Sequence, residues 1–289
     1  MILVTGASGT VGREVLLAVQ KTGQSAKAMY RSAEDARNAP QGVPTIIADF
    51  ADAASLQNAL RGVDTVYLVC SPIPELVQLE SNMVDACVQA GVNHVVLNSA
   101  LGAGDYDKSF PGWHRQVEDK LRATRLAWTI LRPNSFHQNT VVYFAPSIRA
   151  QGAFYRSLGN AKLSYLDARD VGVAAAEALA GGNHIGKVYE LNGPEALTSS
   201  EVAEKIAKHS GRPVKYVDIP MEAQRKAMLD QGLPEWLIAA ELDLQQYYVN
   251  GRGGDLDDVL EALLGRPAIR LDEYLSENKD AFRSHAAGA

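Results

Sequence analysis

The run Val4-Thr5-Gly6-Ala7-Ser8-Gly9-Thr10-Val11-Gly12 constrains this chain more than any other stretch. It is a G-x-x-G-x-x-G turn between a β-branched run at residues 2–5 and a helical pattern at residues 10–21. In such a unit Gly6 permits the tight turn, Gly9 lets backbone approach a diphosphate, and Gly12 allows the helix to pack closely on the strand. Ser8, Thr10 and Val11 complete the turn, and the helix start presents its N–H groups to the anion. A dinucleotide is therefore the expected ligand of the first strand-to-helix connection.

The rest of the first half has the period of the same architecture. Short apolar runs at residues 25–30, 45–48, 65–70, 94–98 and 128–131 alternate with helical patterns at 53–60, 75–90 and 112–124. Strands separated by helix-length crossovers imply a parallel sheet covered on both faces, so the fold class is α/β, a doubly wound Rossmann sheet. After Pro133 the pattern loosens. An aromatic-rich helix is expected at 134–149, short strands at 153–155 and 162–166, an alanine-rich helix at 168–179 and a strand at 187–191. Next come a helix at 200–208 opened by Thr198 or Ser199, a strand at 214–217, and mostly helix to the end. No second glycine turn occurs there. The expected organisation is a dinucleotide domain over 1–150, to which 167–192 returns, and a smaller α+β substrate lobe formed mainly by 151–289, with a frayed tail at 285–289.

At the end of the second strand, an acid would accept from a ribose 2′-hydroxyl, whereas an arginine would accommodate the 2′-phosphate of NADP. Arg31 occupies that place, and the nearby Glu34 and Asp35 read as first-turn acids of a short helix capped by Ser32. NADP(H) is thus expected in preference to NAD(H). Asp49 and Phe50 follow the third strand, where they would hold an adenine edge and face or simply close a turn.

Composition removes several alternatives. The 289 residues carry 28 Lys+Arg against 34 Asp+Glu, a net charge of -6 that disfavours nucleic acid. The two cysteines, Cys70 and Cys87, lack metal or redox spacing, and the six histidines show no ligand pattern, so no metal is expected. No apolar run is long enough for a membrane span. Met1 leads straight into Ile2-Leu3-Val4 with no basic run before it, which makes a cytoplasmic protein the expectation. Gly251-Arg252-Gly253-Gly254 follows no strand and reads as a flexible turn.

These motifs, with Tyr30-Arg31, Asp49-Phe50, Asn98-Ser99-Ala100, His114-Arg115-Gln116-Val117-Glu118, the run Trp128-Thr129-Ile130-Leu131-Arg132-Pro133-Asn134-Ser135-Phe136 and Asp167-Ala168-Arg169-Asp170-Val171, span most of the chain. On them the sequence resembles the NmrA-like branch of the atypical short-chain dehydrogenase/reductase superfamily, which includes quinone, dye and azo reductases. The resemblance implies that Val69, Cys70, Ser71 and Pro72 line the cofactor's ribose side, that Ser99 is the usual companion serine, and that residues 133–149 and the later lobe close over the nicotinamide. It also exposes a departure. Ordinary members carry Tyr-x-x-x-Lys on the helix after the fifth strand, and here the corresponding residues are His114 and Glu118.

Hydride transfer without that acid suits a planar, conjugated acceptor whose charge is delocalised. Nine of the 20 aromatic residues fall within 106–155, and Trp113, Phe136, Tyr143 and Tyr155 are candidate pocket walls, with core packing as the competing use. His114 and Glu118, four apart on one helical face, form either an imidazole donor with an orienting carboxylate or a helix surface with Glu118 paired to Arg122. Asn134 is a substrate hydrogen-bonding group or a helix cap. The two functions left open are an NADPH-dependent reductase of a small conjugated molecule and a cofactor-sensing regulator that docks on a protein partner without turnover.

Overall fold

A computed structural model describes residues 1–283; the tail expected at 285–289 lies outside the described residues. Two compact units emerge. Unit 1 comprises Met1–Pro133, Ala168–Leu191 and Ala262–Gly265; unit 2 comprises Asn134–Asp167, Asn192–Glu261 and Arg266–Ala289.

Unit 1 is built on a seven-stranded parallel sheet of order β3-β2-β1-β4-β5-β6-β9. Its strands are β1 (Ile2–Val4), β2 (Ala26–Tyr30), β3 (Thr45–Ile47), β4 (Thr65–Leu68), β5 (His94–Asn98), β6 (Ala127–Pro133) and β9 (Lys187–Leu191). Leu3, Val66, Val95, Leu97 and Ile130 are fully buried, as a strand covered on both faces requires. On one face they pack against α3 (Ala53–Ala59), α4 (Leu76–Ala90) and α5 (Ser109–Arg122) through Leu56, Met83, Cys87, Val117 and Leu121. The remaining long helices, α1 (Thr10–Lys21) and α7 (Ala168–Leu179), pack on each other. A side chain at Gly172 would stand 2.7 Å from the Glu14 backbone, so glycine is what lets these two helices touch. The short α2 (Ala33–Ala36) begins at Ser32, whose hydroxyl accepts the Asp35 N–H at 3.1 Å. The carboxylate of Asp35 thus belongs to a helix start.

The sheet order reverses between β1 and β4. Chain running outward through β2 and β3 returns to the other side of β1, and the crevice at such a switch point is where doubly wound sheets take ligands.

Unit 2 pairs β7 (Ala153–Arg156) in parallel with β11 (Lys215–Asp218), and β8 (Lys162–Ser164) antiparallel with β10 (Ala196–Thr198), a strand absent from the sequence pattern. Around them lie α6 (Ala145–Gln151), α8 (Ser199–Ser210), α9 (Met221–Asp230), α10 (Glu235–Val249) and α12 (Leu271–Glu277). The short α11 (Val259–Leu264) is divided between the two units. Thr198 and Glu201 form a reciprocal capping box at the start of α8. Phe144 stacks on Phe154 with centroids 4.3 Å apart, which claims Phe144 for the core.

The single helix expected at 134–149 is not formed. Phe136 instead makes an isolated bridge to Leu166, and Thr140–Phe144 is a wide π turn leading into α6. Asn139 and Asn134 supply side-chain bonds that compete with helix geometry in this stretch. The glycine run at 251–254 departs from expectation as well. Gly253 O accepts from Ser164 N (2.8 Å) and from Asn134 Nδ2 (2.9 Å), and Asp255 O accepts from Ser164 Oγ (2.5 Å), so the loop is tied down rather than free.

Candidate active site

Gly6 sits at the end of β1 with φ +56°, a conformation in which a side chain is strained. A Cβ there would meet Val69 Cγ1 at 2.7 Å, and one at Gly12 would lie 2.2 Å from the Gly6 carbonyl. The turn is therefore closed to any other residue at either position. Gly9 caps α1 with no side-chain bond, and its own N–H donates to Gly6 O at 2.9 Å. The start of α1 consequently has no side-chain cap, the arrangement in which a helix start binds an anion. Thr5 fixes the neighbouring loop: its hydroxyl donates to Val69 O (3.0 Å) and accepts from Val69 N (2.9 Å).

Val69 and Cys70 are half-buried, and Ser71 and Pro72 are exposed. Burial, reinforced by the nearby Glu80, pushes the Cys70 thiol up to about 12, so it is neither thiolate nor nucleophile. The charges of Arg31 and Asp49 also act on Cys70, which places both at this end of the sheet. Glu80, fully buried in α4, is held well above the usual carboxylate range by desolvation.

Arg31 is exposed and makes no ion pair among the described residues. Arg13, on the first turn of α1, acts electrostatically on the Tyr30 phenol and so brings a second cation to the end of β2. Sequence reading passed over Arg13; its position directly after Gly12, facing the end of β2, was the available signal. Asp49 has a structural use: its Oδ1 accepts Ala51 N at 2.8 Å to close a turn. Phe50 is packed into the unit 1 core.

The corner formed by β5, β6 and α5 is built differently. Glu118 is wholly buried and receives four donors: Ser99 Oγ (2.6 Å) and Arg132 Nε (2.9 Å) on Oε1, and Arg132 Nη2 (2.7 Å) and Arg122 Nη2 (2.8 Å) on Oε2. Burial alone would raise this carboxyl, but the hydrogen bonds from Arg132 and Ser99 and both arginine charges outweigh it and hold it below the usual range. Arg132 continues to Glu190 on β9 at 3.2 Å. The expectation that Glu118 orients His114 is corrected: every lone pair of Glu118 is engaged elsewhere, and the Ser99 hydroxyl is spent on it. Arg132, quoted only as part of a motif, is the cation that makes a buried acid tolerable here.

His114 is 6% exposed, with Nδ1 buried and without a hydrogen-bond partner. Desolvation pushes its pKa down to about 4 against the opposing charge of Glu118. It is a neutral imidazole near pH 7. Trp113 packs edge-on against Phe110 at 5.3 Å and only partly on the core.

The remaining candidates belong to unit 2. Asn134 is buried with both amide hydrogens used: Nδ2 donates to Asn192 Oδ1 (3.0 Å) and Gly253 O, while Oδ1 accepts Ser135 N. It latches these segments of unit 2 together. Phe136 is half-buried, Tyr143 is 64% exposed, and Tyr155 donates to Gln151 Oε1 at 2.7 Å. No His/Cys/Asp/Glu group suited to a metal occurs among the described residues, and no helix there is long and apolar enough to cross a membrane.

Residues 1–274 match the NmrA-like family. The chain belongs to that family. It is 35% identical to an NAD(P)H azoreductase of Xenophilus azovorans, across 98% of this chain and 99% of that protein. It is 32% identical to a (4-alkanoyl-5-oxo-2,5-dihydrofuran-3-yl)methyl phosphate reductase of Streptomyces griseus, across 98% and 99%. A crystal structure of an NADPH-dependent quinone oxidoreductase of Escherichia coli complexed with NADPH superposes with a TM-score of 0.89 at 29% identity, covering 96% of this chain and 99% of that one. Like these NmrA-like relatives, the chain is an oxidoreductase on a Rossmann sheet.

Proposed function

We propose that this NmrA-like protein reduces a small, planar, conjugated acceptor with hydride from NADPH. The observation that carries the reading is the glycine corner: a turn into which no Cβ fits at Gly6 or Gly12, facing uncapped N–H groups of α1. Such a cradle suits a diphosphate. Arg31, unpaired at the end of β2, and Arg13 beside it suit a ribose 2′-phosphate, which an arginine fork holds better than a hydroxyl. Val69, Cys70, Ser71 and Pro72 form the adjoining wall. When bound, the reduced nicotinamide supplies the hydride.

The chain's residues then provide orientation rather than an acid. Glu118 is committed to Ser99 and two arginines, and His114 is neutral, so neither offers a readily released proton near pH 7. A neutral imidazole still donates one hydrogen bond, enough to steady a carbonyl or imine without protonating it. An acceptor that spreads the incoming charge over conjugated atoms meets this limit, whereas an isolated ketone, which develops a localised alkoxide, does not. The relatives' names, an azo compound, a quinone and an unsaturated lactone, are acceptors of the first kind. Trp113, beside His114 on α5, is the aromatic surface of unit 1 proposed for it.

Following the loss of reduced-nicotinamide absorbance with a panel of quinones, azo dyes, enones and simple ketones tests the reading. Turnover on conjugated acceptors and none on simple ketones is expected. Tight NADPH binding with no turnover on any acceptor would replace the reductase by a cofactor sensor.

A further inference from the structure

The apolar face of α4 carries an acid. Leu76, Met83, Val84 and Cys87 stand at helical spacing from Glu80, on its side of the helix, and all four are buried in the unit 1 core. Glu80 is itself fully buried, and neither of its carboxyl oxygens has a hydrogen-bond partner among the described residues. An apolar side chain would sit here with less penalty, because a buried carboxyl without donors loses its hydration and gains no bond in exchange. The fold alone gives no reason for an acid at this position.

Glu80 faces the end of β4. It acts on the Tyr67 phenol and the Cys70 thiol, and the donor that acts on it in turn is the backbone N–H of Cys70. Tyr67 is already committed, since its hydroxyl donates to Asn98 Oδ1 at 2.9 Å. The Cys70 N–H makes no hydrogen bond to any other acceptor among the described residues. Its peptide is held from the opposite side. Val69 O accepts from the Thr5 hydroxyl at 3.0 Å, and in a trans peptide the N–H points away from that carbonyl. The same peptide abuts the glycine turn, where a Cβ on Gly6 would lie 2.7 Å from Val69 Cγ1 and 3.0 Å from Val69 O. Two residues along α4, Asn82 Nδ2 donates to Phe50 O at 2.9 Å. This helix therefore stands behind the loops that follow β3 and β4.

We propose that Glu80 is a positioning residue for the cofactor wall, its carboxyl oxygen being the acceptor that the Cys70 N–H takes up when a nucleotide presses on residues 69–72, an inference that rests on the proposed nucleotide site. The Val69–Cys70 peptide is then fixed between Thr5 on one side and α4 on the other. An acceptor left unsatisfied in the free chain and satisfied in the bound one adds to affinity, because the ligand favours the state in which the bond is made. The contribution is shared by NADPH and NADH, which differ at the 2′-phosphate and not at this wall.

Calorimetric titration with both nucleotides and thermal melts of the full chain test the role through two substitutions. Glu80→Met removes the acceptor and the buried carboxyl together. It should raise the melting temperature by about 2–4 °C while weakening NADPH and NADH alike, by about fivefold to tenfold. Glu80→Gln keeps a carbonyl oxygen for the Cys70 N–H and should bind both nucleotides as tightly as wild type. A residue serving the fold alone would instead lose stability and affinity in step. Wild-type affinity in Glu80→Met, a fall in its melting temperature, or a loss in Glu80→Gln as large as in Glu80→Met would overturn the positioning role while leaving the nucleotide site intact. A wild-type chain that binds neither nucleotide would overturn the site itself, and this role with it.

Discussion

The glycine corner and the Glu118 corner of unit 1 lie at the ends of strands in one sheet, yet they treat their polar groups in opposite ways. At the glycine corner the α1 N–H groups have no side-chain cap and Arg31 has no ion pair among the described residues. At the Glu118 corner both oxygens are filled by donors from Ser99, Arg122 and Arg132. A folded chain satisfies its buried polar groups wherever they serve only the fold. Unspent donors beside a bare turn are what the proposed diphosphate site calls for, and a saturated carboxylate is a strut.

The contrast can be broken experimentally, beginning with the largest effect. Gly12→Ala places a methyl 2.2 Å from the Gly6 carbonyl and should abolish NADPH binding by calorimetry; retained binding would deny that the turn is the cradle. Glu118→Gln removes the charge that neutralises Arg132 and Arg122 and should lower stability by about 3–5 kcal/mol in urea unfolding. A change below about 1 kcal/mol would reduce the strut to a surface pair.

How much of this was legible beforehand follows from the range of the forces involved. The central strands of unit 1 were readable because they are covered on both faces, so β-branched runs such as Ile2-Leu3-Val4 carry their own signature. Gly6 and Gly12 were readable because the turn forbids every other residue. The capping of α2 by Ser32 is equally local and was visible. The Glu118 strut was hidden because its partners come from positions 99, 122 and 132, and only the fold brings them together. A sequence spacing of four suggests the Arg122 contact but cannot show that Arg132 arrives from β6. The tie between Asn134 and the 251–254 run was hidden for the same reason: a bond between residues 119 positions apart leaves no periodic trace. The π turn at Thr140–Phe144 lay within a plausible helical pattern and differs from it only in backbone geometry.

Smaller effects sharpen the same comparison. His114 has its folded pKa, about 4, below its unfolded value of 6.5, so the unfolded chain binds the extra proton between them. Stability contributed by neutral His114 is therefore full above pH 6.5 and lost as pH falls toward 4, on the order of 3 kcal/mol in total. Urea unfolding of wild type and His114→Phe between pH 4 and 7 should show a shallower slope for the variant. Identical slopes would mean the imidazole is hydrated in solution. Arg31→Ala should weaken NADPH about tenfold or more while leaving NADH nearly unchanged, and equal losses for both would remove the 2′-phosphate contact.

The most direct measurement is isothermal titration of the purified full chain with NADPH and, separately, NADH. Saturable heat with one NADPH per chain and a weaker response to NADH is the result this account predicts. Absence of heat with either nucleotide would contradict it, since the unspent donors of the glycine corner would then have no diphosphate to hold.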